Sequence, residues 1–367
     1  MRPDRACGRG DHMLNDANKS IAPYQALALQ TACYAVNSCA SNAEARQRMM
    51  DNIARVHRQI LASKAFIGPE LKLVVAPEYF LTSYPLGDSL PSWASKGAIA
   101  IDGPEYARLG DMCRDAGIYF SGNAYETDAH FPGLYFQSSF IIDDGGRVVL
   151  RYRRLVSMYG PTPHDLWERY LEIYGLEGVF PVVDTPLGRL ACVASEEILY
   201  PEISRTLALR GAEVLLHSSS EVASPRLTPK DVAKRARAYE NSAWLVSANS
   251  GGIRDVDIPE NSADGLSKVV DYLGEVRAEA GNGESMAANA TIDIAALRRY
   301  RRKPGMSNML SRQRLELFAA TYAGSVYPPN TMLDTQRQPF VPERAHFSAR
   351  QREAIELLMA RGVIARD

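Results

Sequence analysis

Apolar positions along the chain fall into short continuous runs separated by longer stretches with helical spacing, the pattern of strands alternating with helices. The stretch from Gly188 to Gly211, GRLACVASEEILYPEISRTLALRG, shows both halves of that pattern. Leu190 to Ala194 is an unbroken small-apolar run, which suits a strand buried on both faces of a sheet. Pro201 then stands at a first-turn position, Ile203, Thr206, Leu207 and Leu209 follow at near-helical spacing, and Gly211 supplies a stop. Ser195 lies between strand and helix, with Glu196 and Glu197 after it. Such a turn is where an α/β fold exposes a nucleophile, and it is equally a place for an ordinary turn serine.

The same alternation runs through the rest of the chain. Tyr24 to Cys33 reads as a first strand. Ser41 and Glu44 form a capping-box pattern ahead of a long helix with Met49, Ile53, Val56, Ile60 and Leu61 on one face. Leu71 to Ala76 is a second strand, ended by Pro77 and followed at once by Glu78. Pro104 to Ala116 reads as a helix, then Ile118 to Ala124 and Leu134 to Asp143 as strands. Asp144-Gly145-Gly146 turns the chain into Arg147 to Tyr152, a hairpin that delivers Arg151, Arg153 and Arg154 to a strand end. Ser157 to Gly178 is an aromatic, acidic insertion, helical from about Pro163.

Beyond the central stretch, Ala212 to Ser218 is a strand. Thr228, Pro229 and Asp231 start a helix. Trp244 to Ala248, Leu266 to Asp271 and Ala288 to Ile294 are further strands, with Gly274 turning between the last two. The basic run Arg298 to Lys303 reads as a solvated face. These signals divide the chain into an N-terminal arm (1–20), a main domain (21–302) and an extension (303–367) that packs on the domain or on a neighbouring subunit. The extension is Pro-rich from Tyr327 to Val341 and ends in a helix from Ser348, with Gln351 completing a capping box and Gly362 as terminator.

Composition removes several functional classes. Lys and Arg number 42 against 43 Asp and Glu, so no global charge points to nucleic acid or an anionic membrane. The five cysteines are odd in number and lack CxxC spacing, which argues for a reducing, cytoplasmic setting rather than a disulfide framework. No window is apolar enough to span a bilayer. No His, Cys or carboxylate cluster has metal-ligand spacing, and Gly281-Asn282-Gly283 lacks the third glycine and the preceding strand of a dinucleotide site. Neither a metal nor a cofactor is expected.

Three features remain: a carboxylate after a strand (Glu78), a basic cluster after a hairpin (Arg151 to Arg154), and a hydroxyl at a strand–helix turn (Ser195). Their order and surroundings resemble the nitrilase superfamily of carbon–nitrogen hydrolases from Tyr24 to Arg302. VVAPEYF is similar to the family's glutamate motif and DDGGRVVLRYRR to its hairpin. DTPLGRLACVASEEILYPEISRTLALRGAEVLL is similar to its cysteine motif, and RARAYENSAWLVSAN to the helix–strand that follows.

The resemblance implies a four-layer α-β-β-α sandwich of the α/β class and a homodimer or larger homo-oligomer. It also implies a site in which a Glu acts as general base, a Lys stabilises the tetrahedral intermediate and a Cys attacks. Glu78 matches. The family's Lys falls on Arg154 and its Cys on Ser195; Cys192 is three residues too early to replace it. A supporting glutamate has candidates in Glu168 and Glu172, with Glu172 favoured. Tyr84, Glu196 and His217 are expected to line the pocket, although a strand-end His more often serves structure.

The two departures change the chemistry expected. An alcohol needs a base to remove its proton during attack, whereas a thiol beside a cation is substantially ionised. Arg154 keeps a positive charge for an oxyanion but cannot give a proton to a leaving amine. Three functions follow as alternatives. The first is hydrolysis of a small amide or carbamoyl compound through Glu78, Arg154 and Ser195. The second is binding of such a ligand, or a partner-subunit role, without turnover. The third is lyase- or hydratase-type proton transfer by Glu78.

Overall fold

A computed structural model describes residues 21–366 apart from 223, 225 and 264; the expected arm at 1–20 lies outside the described residues. Two sheets form the centre. The first runs in the order 289–292, 24–28, 71–75, 119–127, 135–142, 148–153, with Ile99–Ala100 pairing alongside Tyr119–Thr127. The second runs 276–279, 268–270, 244–248, 214–218, 188–194, 183–185. In each sheet three central strands are parallel: Tyr24–Ala28, Leu71–Val75 and Tyr119–Thr127 in one, Gly188–Ala194, Val214–Ser218 and Trp244–Ala248 in the other.

Side-chain alternation fixes the layers. From the first sheet, Leu27, Leu71, Val74 and Phe120 pack in one core with Met49, Ile53, Val56 and Ile60 of the Asn42–Ile67 helix and Leu109 and Met112 of the Pro104–Ala116 helix. The intervening Ala26, Ala28, Leu73 and Val75 belong to a second core, which they share with Leu190 to Val193 and with Val214, Leu215 and Leu216 of the opposing sheet. The Pro201–Leu209 and Pro229–Glu240 helices add Ile203, Leu207, Ala233 and Ala238 from outside. The result is the four-layer α-β-β-α sandwich. The Leu190–Ala194 run is buried on both faces, as its composition requires.

The sheets are joined at the ends of their parallel strands. Ser218 Oγ donates to Ala76 O at 2.8 Å, and Glu78 N donates to Ser219 O at 3.2 Å. These bonds bring the C-terminal ends of the Leu71–Val75 and Val214–Ser218 strands together, although the two strands lie in different sheets.

Three local readings need correction. Gly274 does not turn the chain into the expected Ala288 to Ile294 strand, which is Asn289–Ile292 and pairs in the first sheet; Asp271 and Gly274 instead close a hairpin between Lys268–Val270 and an additional strand, Val276–Glu279. The basic run is a helix, Ile294–Arg302, rather than a solvated face alone. Arg298 makes a two-pronged pair with Glu213 at 2.6 and 2.9 Å, and Arg301 donates to the Ser242 and Ala212 carbonyls. The last helix starts at Arg344, with Glu343 as its cap, so Ser348 and Gln351 lie inside it. A helix whose first turn lies against a protein surface gains contacts that no local cap supplies, so its start moves upstream.

The extension lies against the first core. Met332 and Phe347 are buried there, Met332 N donates to Asp165 O at 2.9 Å, and Thr331 Oγ1 donates to Asp165 Oδ1 at 2.6 Å. Met332→Ala is expected to remove about 2–5 kcal/mol of packing at this contact. The change should appear as faster tryptic cleavage between Arg337 and Arg361 in the full-length protein. An unchanged cleavage rate would show that this side chain does not hold the extension.

Candidate active site

Glu78 leaves the end of the Leu71–Val75 strand with its side chain wholly out of water. A buried carboxylate needs donors on its oxygens, and three other segments provide them. Gln137 Nε2 donates to Oε1 at 2.6 Å, Arg154 Nη1 reaches the same oxygen at 3.5 Å, and the Ser220 amide donates to Oε2 at 3.1 Å. Gln137 is a polar position in the largely apolar Tyr135–Ile142 strand. It accepts from Arg154 Nη1 at 2.7 Å through Oε1, and its amide nitrogen also reaches Asn123 Oδ1 at 3.1 Å. One neutral amide thus faces the carboxylate with its donor and the cation with its acceptor.

Strand alternation puts Arg151 and Arg153 on one face of the hairpin and turns Arg154 to the other. Arg151 pairs with Glu126 at 3.1 Å, and Arg153 with buried Asp128 at 2.5 Å. Arg154 alone turns toward Glu78. Its Nε donates to Val156 O at 2.7 Å, Nη1 serves Gln137 and Glu78, and Nη2 binds Glu196. Burial pulls the Arg154 pKa down, but the Glu78, Glu196 and Glu197 carboxylates outweigh it and hold the guanidinium above its ordinary value. A guanidinium has five N–H groups. Four are used here, and one on Nη2 has no acceptor among the described residues.

Ser195 closes the Gly188–Ala194 strand and begins a 3-10 turn, Ser195–Leu199. Its φ of 50° lies in the left-handed region, which costs a non-glycine residue energy and persists only where surroundings enforce it. One enforcing contact is His217, whose Nε2 donates to the Ser195 carbonyl at 2.8 Å while Nδ1 meets Ser247 Oγ at 2.8 Å. Burial, together with the Lys234 charge, lowers the His217 pKa to about 3, so the ring is neutral and has a single N–H for that carbonyl. His217 therefore holds the turn from behind; its ring does not line the hollow. Among the described residues no hydrogen bond joins Ser195 Oγ to Glu78 or Arg154. Cys192 points between the sheets with Sγ 3.7 Å from Ser121 Oγ, and burial pushes its thiol up to about 12.

A hollow of about 200 Å³ opens beside Arg154 and Glu196, walled by Tyr79, Tyr125, Tyr135 and Gln137; Glu78 and Ser195, like His217, do not line it, and Glu78 meets it only through Gln137 and Arg154. Tyr84, half-buried, has its ring 5.8 Å from that of Tyr79 and lines a neighbouring, larger cavity. The favoured supporting glutamate is not brought to the site. Glu172 is exposed on the Trp167–Tyr174 helix and pairs with Arg169 at 3.1 Å, and Glu168 pairs with Arg337 on the surface. That helix turns its apolar face inward, so both carboxylates face water.

The carboxylate that does support the site is Glu197, which the sequence reading passed over. It is fully buried. Oε1 accepts from the Leu155 and Val156 amides at 2.6 and 3.0 Å, and Oε2 meets Tyr152 Oη at 2.7 Å. It thereby ties the backbone after Arg154 to the turn that begins at Ser195. The signal was present in the Glu196-Glu197 pair, where only one carboxylate of two successive residues can face a hollow. No group of three or more metal-ligating side chains occurs among the described residues.

Comparison with known proteins agrees with this fold. The family model described as carbon-nitrogen hydrolase matches residues 22–302. A formamidase of Pseudomonas syringae pv. syringae is 28% identical over 239 residues, 64% of this chain and 61% of its own length. The chain thus spans less than two thirds of that relative. Among solved structures, a carbon-nitrogen hydrolase of Helicobacter pylori G27 aligns with a TM-score of 0.61 at 21% identity, covering 82% of this chain and 98% of its own. Saccharomyces cerevisiae Nit3, of branch 10 of the nitrilase superfamily, aligns with a TM-score of 0.60 at 19% identity, covering 76% and 93%.

Glu197 gives the site a pH dependence. Burial raises its pKa to about 7, against the opposing pull of Arg154, Tyr152 and the Leu155 and Val156 amides. A carboxyl whose folded pKa exceeds its unfolded value contributes stability that is full below the unfolded pKa of about 4.5 and is lost as pH rises through about 7. Urea midpoints of the wild type should therefore fall across this window relative to those of Glu197→Gln. Parallel curves for the two proteins would overturn the assignment.

Proposed function

The chain belongs to the carbon–nitrogen hydrolase family, and from that premise we propose that it hydrolyses a small amide or carbamoyl compound through Glu78, Arg154 and Ser195. The observation that carries the reading is the backbone at Ser195. A left-handed serine, pinned through its carbonyl by His217, stands at a strand end one residue from the Glu196 that binds Arg154. Backbone strain held at a strand-to-helix turn, beside a residue that binds the Arg154 guanidinium, is the backbone setting of a nucleophile elbow.

The chemistry runs in balanced steps. Ser195 Oγ bonds to the substrate carbonyl carbon as its proton passes to Glu78. The displaced carbonyl electron pair forms an oxyanion, which takes the unused Nη2 N–H of Arg154. Collapse re-forms the carbonyl and breaks the C–N bond. The departing nitrogen takes its proton back from Glu78, because guanidinium keeps its own. Water then attacks the ester, Glu78 receives its proton, and Ser195 regains it as the acid leaves.

A second reading has its own support. Both Glu78 oxygens are already hydrogen-bonded, and Ser195 Oγ is bonded to neither Glu78 nor Arg154. These features favour ligand binding without turnover, or proton transfer by Glu78 alone. Hydroxylamine trapping across an amide panel separates the alternatives. Catalysis through Ser195 predicts hydroxamate formation that falls at least about a hundredfold in Ser195→Ala and in Glu78→Gln, the scale of a lost nucleophile or base. Turnover retained in Ser195→Ala but lost in Glu78→Gln assigns the chemistry to the carboxylate. Amide binding with no product in any variant leaves a binding protein.

A further inference from the structure

The hollow beside Arg154, at about 200 Å³, is small for a ligand site, since pockets that enclose an organic ligand span roughly 300–1,000 Å³. A second cavity adjoins it. Pro85, Tyr135 and Tyr159 line both this hollow and the second cavity, of about 1030 Å³. One wall of the second cavity is the Tyr84–Pro91 loop, which leaves the strand end just after Glu78. The other wall is the extension, through Val341, Arg344 and Phe347.

We propose that this cavity is the subsite for the substrate's tail, and that the substrate is an amide carrying an extended alkyl or aryl-alkyl group rather than a one- or two-carbon amide. The proposal rests on the reading of the hollow as an amide site and adds the substrate class to it. Three observations support it. The lining is apolar and aromatic, with Leu86, Leu90, Tyr135 and Phe347 facing a common space. Its charged residues are two carboxylates, Asp88 and Glu343, against one guanidinium, Arg344, so an anionic tail gains no net attraction. Both walls are held in place. Ser83 and Leu86 keep left-handed backbones at φ 67° and 51°, Arg344 stacks on Tyr159 at 4.1 Å, and Phe347 is buried. A cavity with fixed walls that adjoins the Arg154 hollow discriminates by chain length, because each methylene it covers leaves water.

The test uses the full-length Ser195→Ala protein, so that binding is read whether or not the wild type turns over. Acetamide, butanamide, hexanamide and 4-phenylbutanamide are titrated by thermal shift or calorimetry. Affinity should rise by about fourfold for each added methylene that is buried, with 4-phenylbutanamide the tightest. Leu86→Asp and Val341→Asp should each flatten this series; both positions are partly exposed, and Asp tolerates the left-handed backbone at 86 better than Leu. Affinity independent of tail length, or a rise that neither variant flattens, would overturn the proposal. A flat series alongside Ser195-dependent hydroxamate overturns this inference and leaves the catalytic reading standing. A steep, variant-sensitive series with no hydroxamate does the reverse.

Discussion

A carboxylate buried without solvent must be met by donors or it unfolds the region around it. Glu78 imposes that constraint on the whole molecule. Its donors come from both sheets: Gln137 on one strand of a hairpin, Arg154 just past the other, and the Ser220 amide in the loop after a strand of the opposite sheet. Satisfying one side chain therefore fixes the relative position of both sheets at their C-terminal ends. The Ser218–Ala76 and Glu78–Ser219 bonds lie alongside and maintain the same register. Removing one partner of such a buried ion pair costs about 3–5 kcal/mol, far more than a surface pair. The reactive geometry and the packing of the sandwich thus rest on the same bonds.

A second buried carboxylate repeats the arrangement at the Ser195 turn. Glu197 takes both backbone amides after Arg154 and the Tyr152 hydroxyl, so the guanidinium and the Ser195 turn move as one body. His217 completes that body from the back of the turn, and Lys234, itself buried, secures the next loop by pairing with Glu221 at 3.2 Å. Since Ser220 precedes Glu221, the Lys234 pair indirectly steadies the amide that binds Glu78. These are positioning contacts: His217 joins two parallel strand ends, Glu197 joins the Ser195 turn to the end of the antiparallel Val148–Arg153 strand, and Lys234 joins a helix to the loop after the Val214–Ser218 strand.

Fold and site differed in how much the sequence disclosed. Periodicity disclosed the layers, because Leu190 to Ala194 has to be buried on both faces and Met49, Ile53, Val56 and Ile60 on one. The motif order placed Glu78 and Arg154 together, and the structure has them in contact. What stayed hidden depended on contacts distant in sequence. Gln137 is an ordinary polar residue until the neighbouring strands are in register. Glu172 has the right residue type and nearly the right position, but its helix turns it to water. The helix from Arg344 begins early because the domain surface, rather than a local cap, stabilises its first turn. The basic run looked like a solvated face because nothing nearby in sequence announces that Glu213 and two distant carbonyls wait for Arg298 and Arg301.

The two departures at the site are coupled by charge. Around Arg154 stand three carboxylates, Glu78, Glu196 and Glu197, and the guanidinium already serves four acceptors. A thiolate at position 195 would be a further anion in a dry site with one cation, and low local dielectric makes that arrangement costly. A hydroxyl is neutral until the moment of attack, so it adds no resting charge. An ammonium has three donors on one atom and could not serve this spread of acceptors, whereas the planar fork of arginine can. Serine relieves the excess negative charge, and arginine organises the carboxylates that remain. A site with either change alone would be left with an unbalanced charge or an unsatisfied acceptor, so the hydroxyl and the guanidinium make physical sense as a pair.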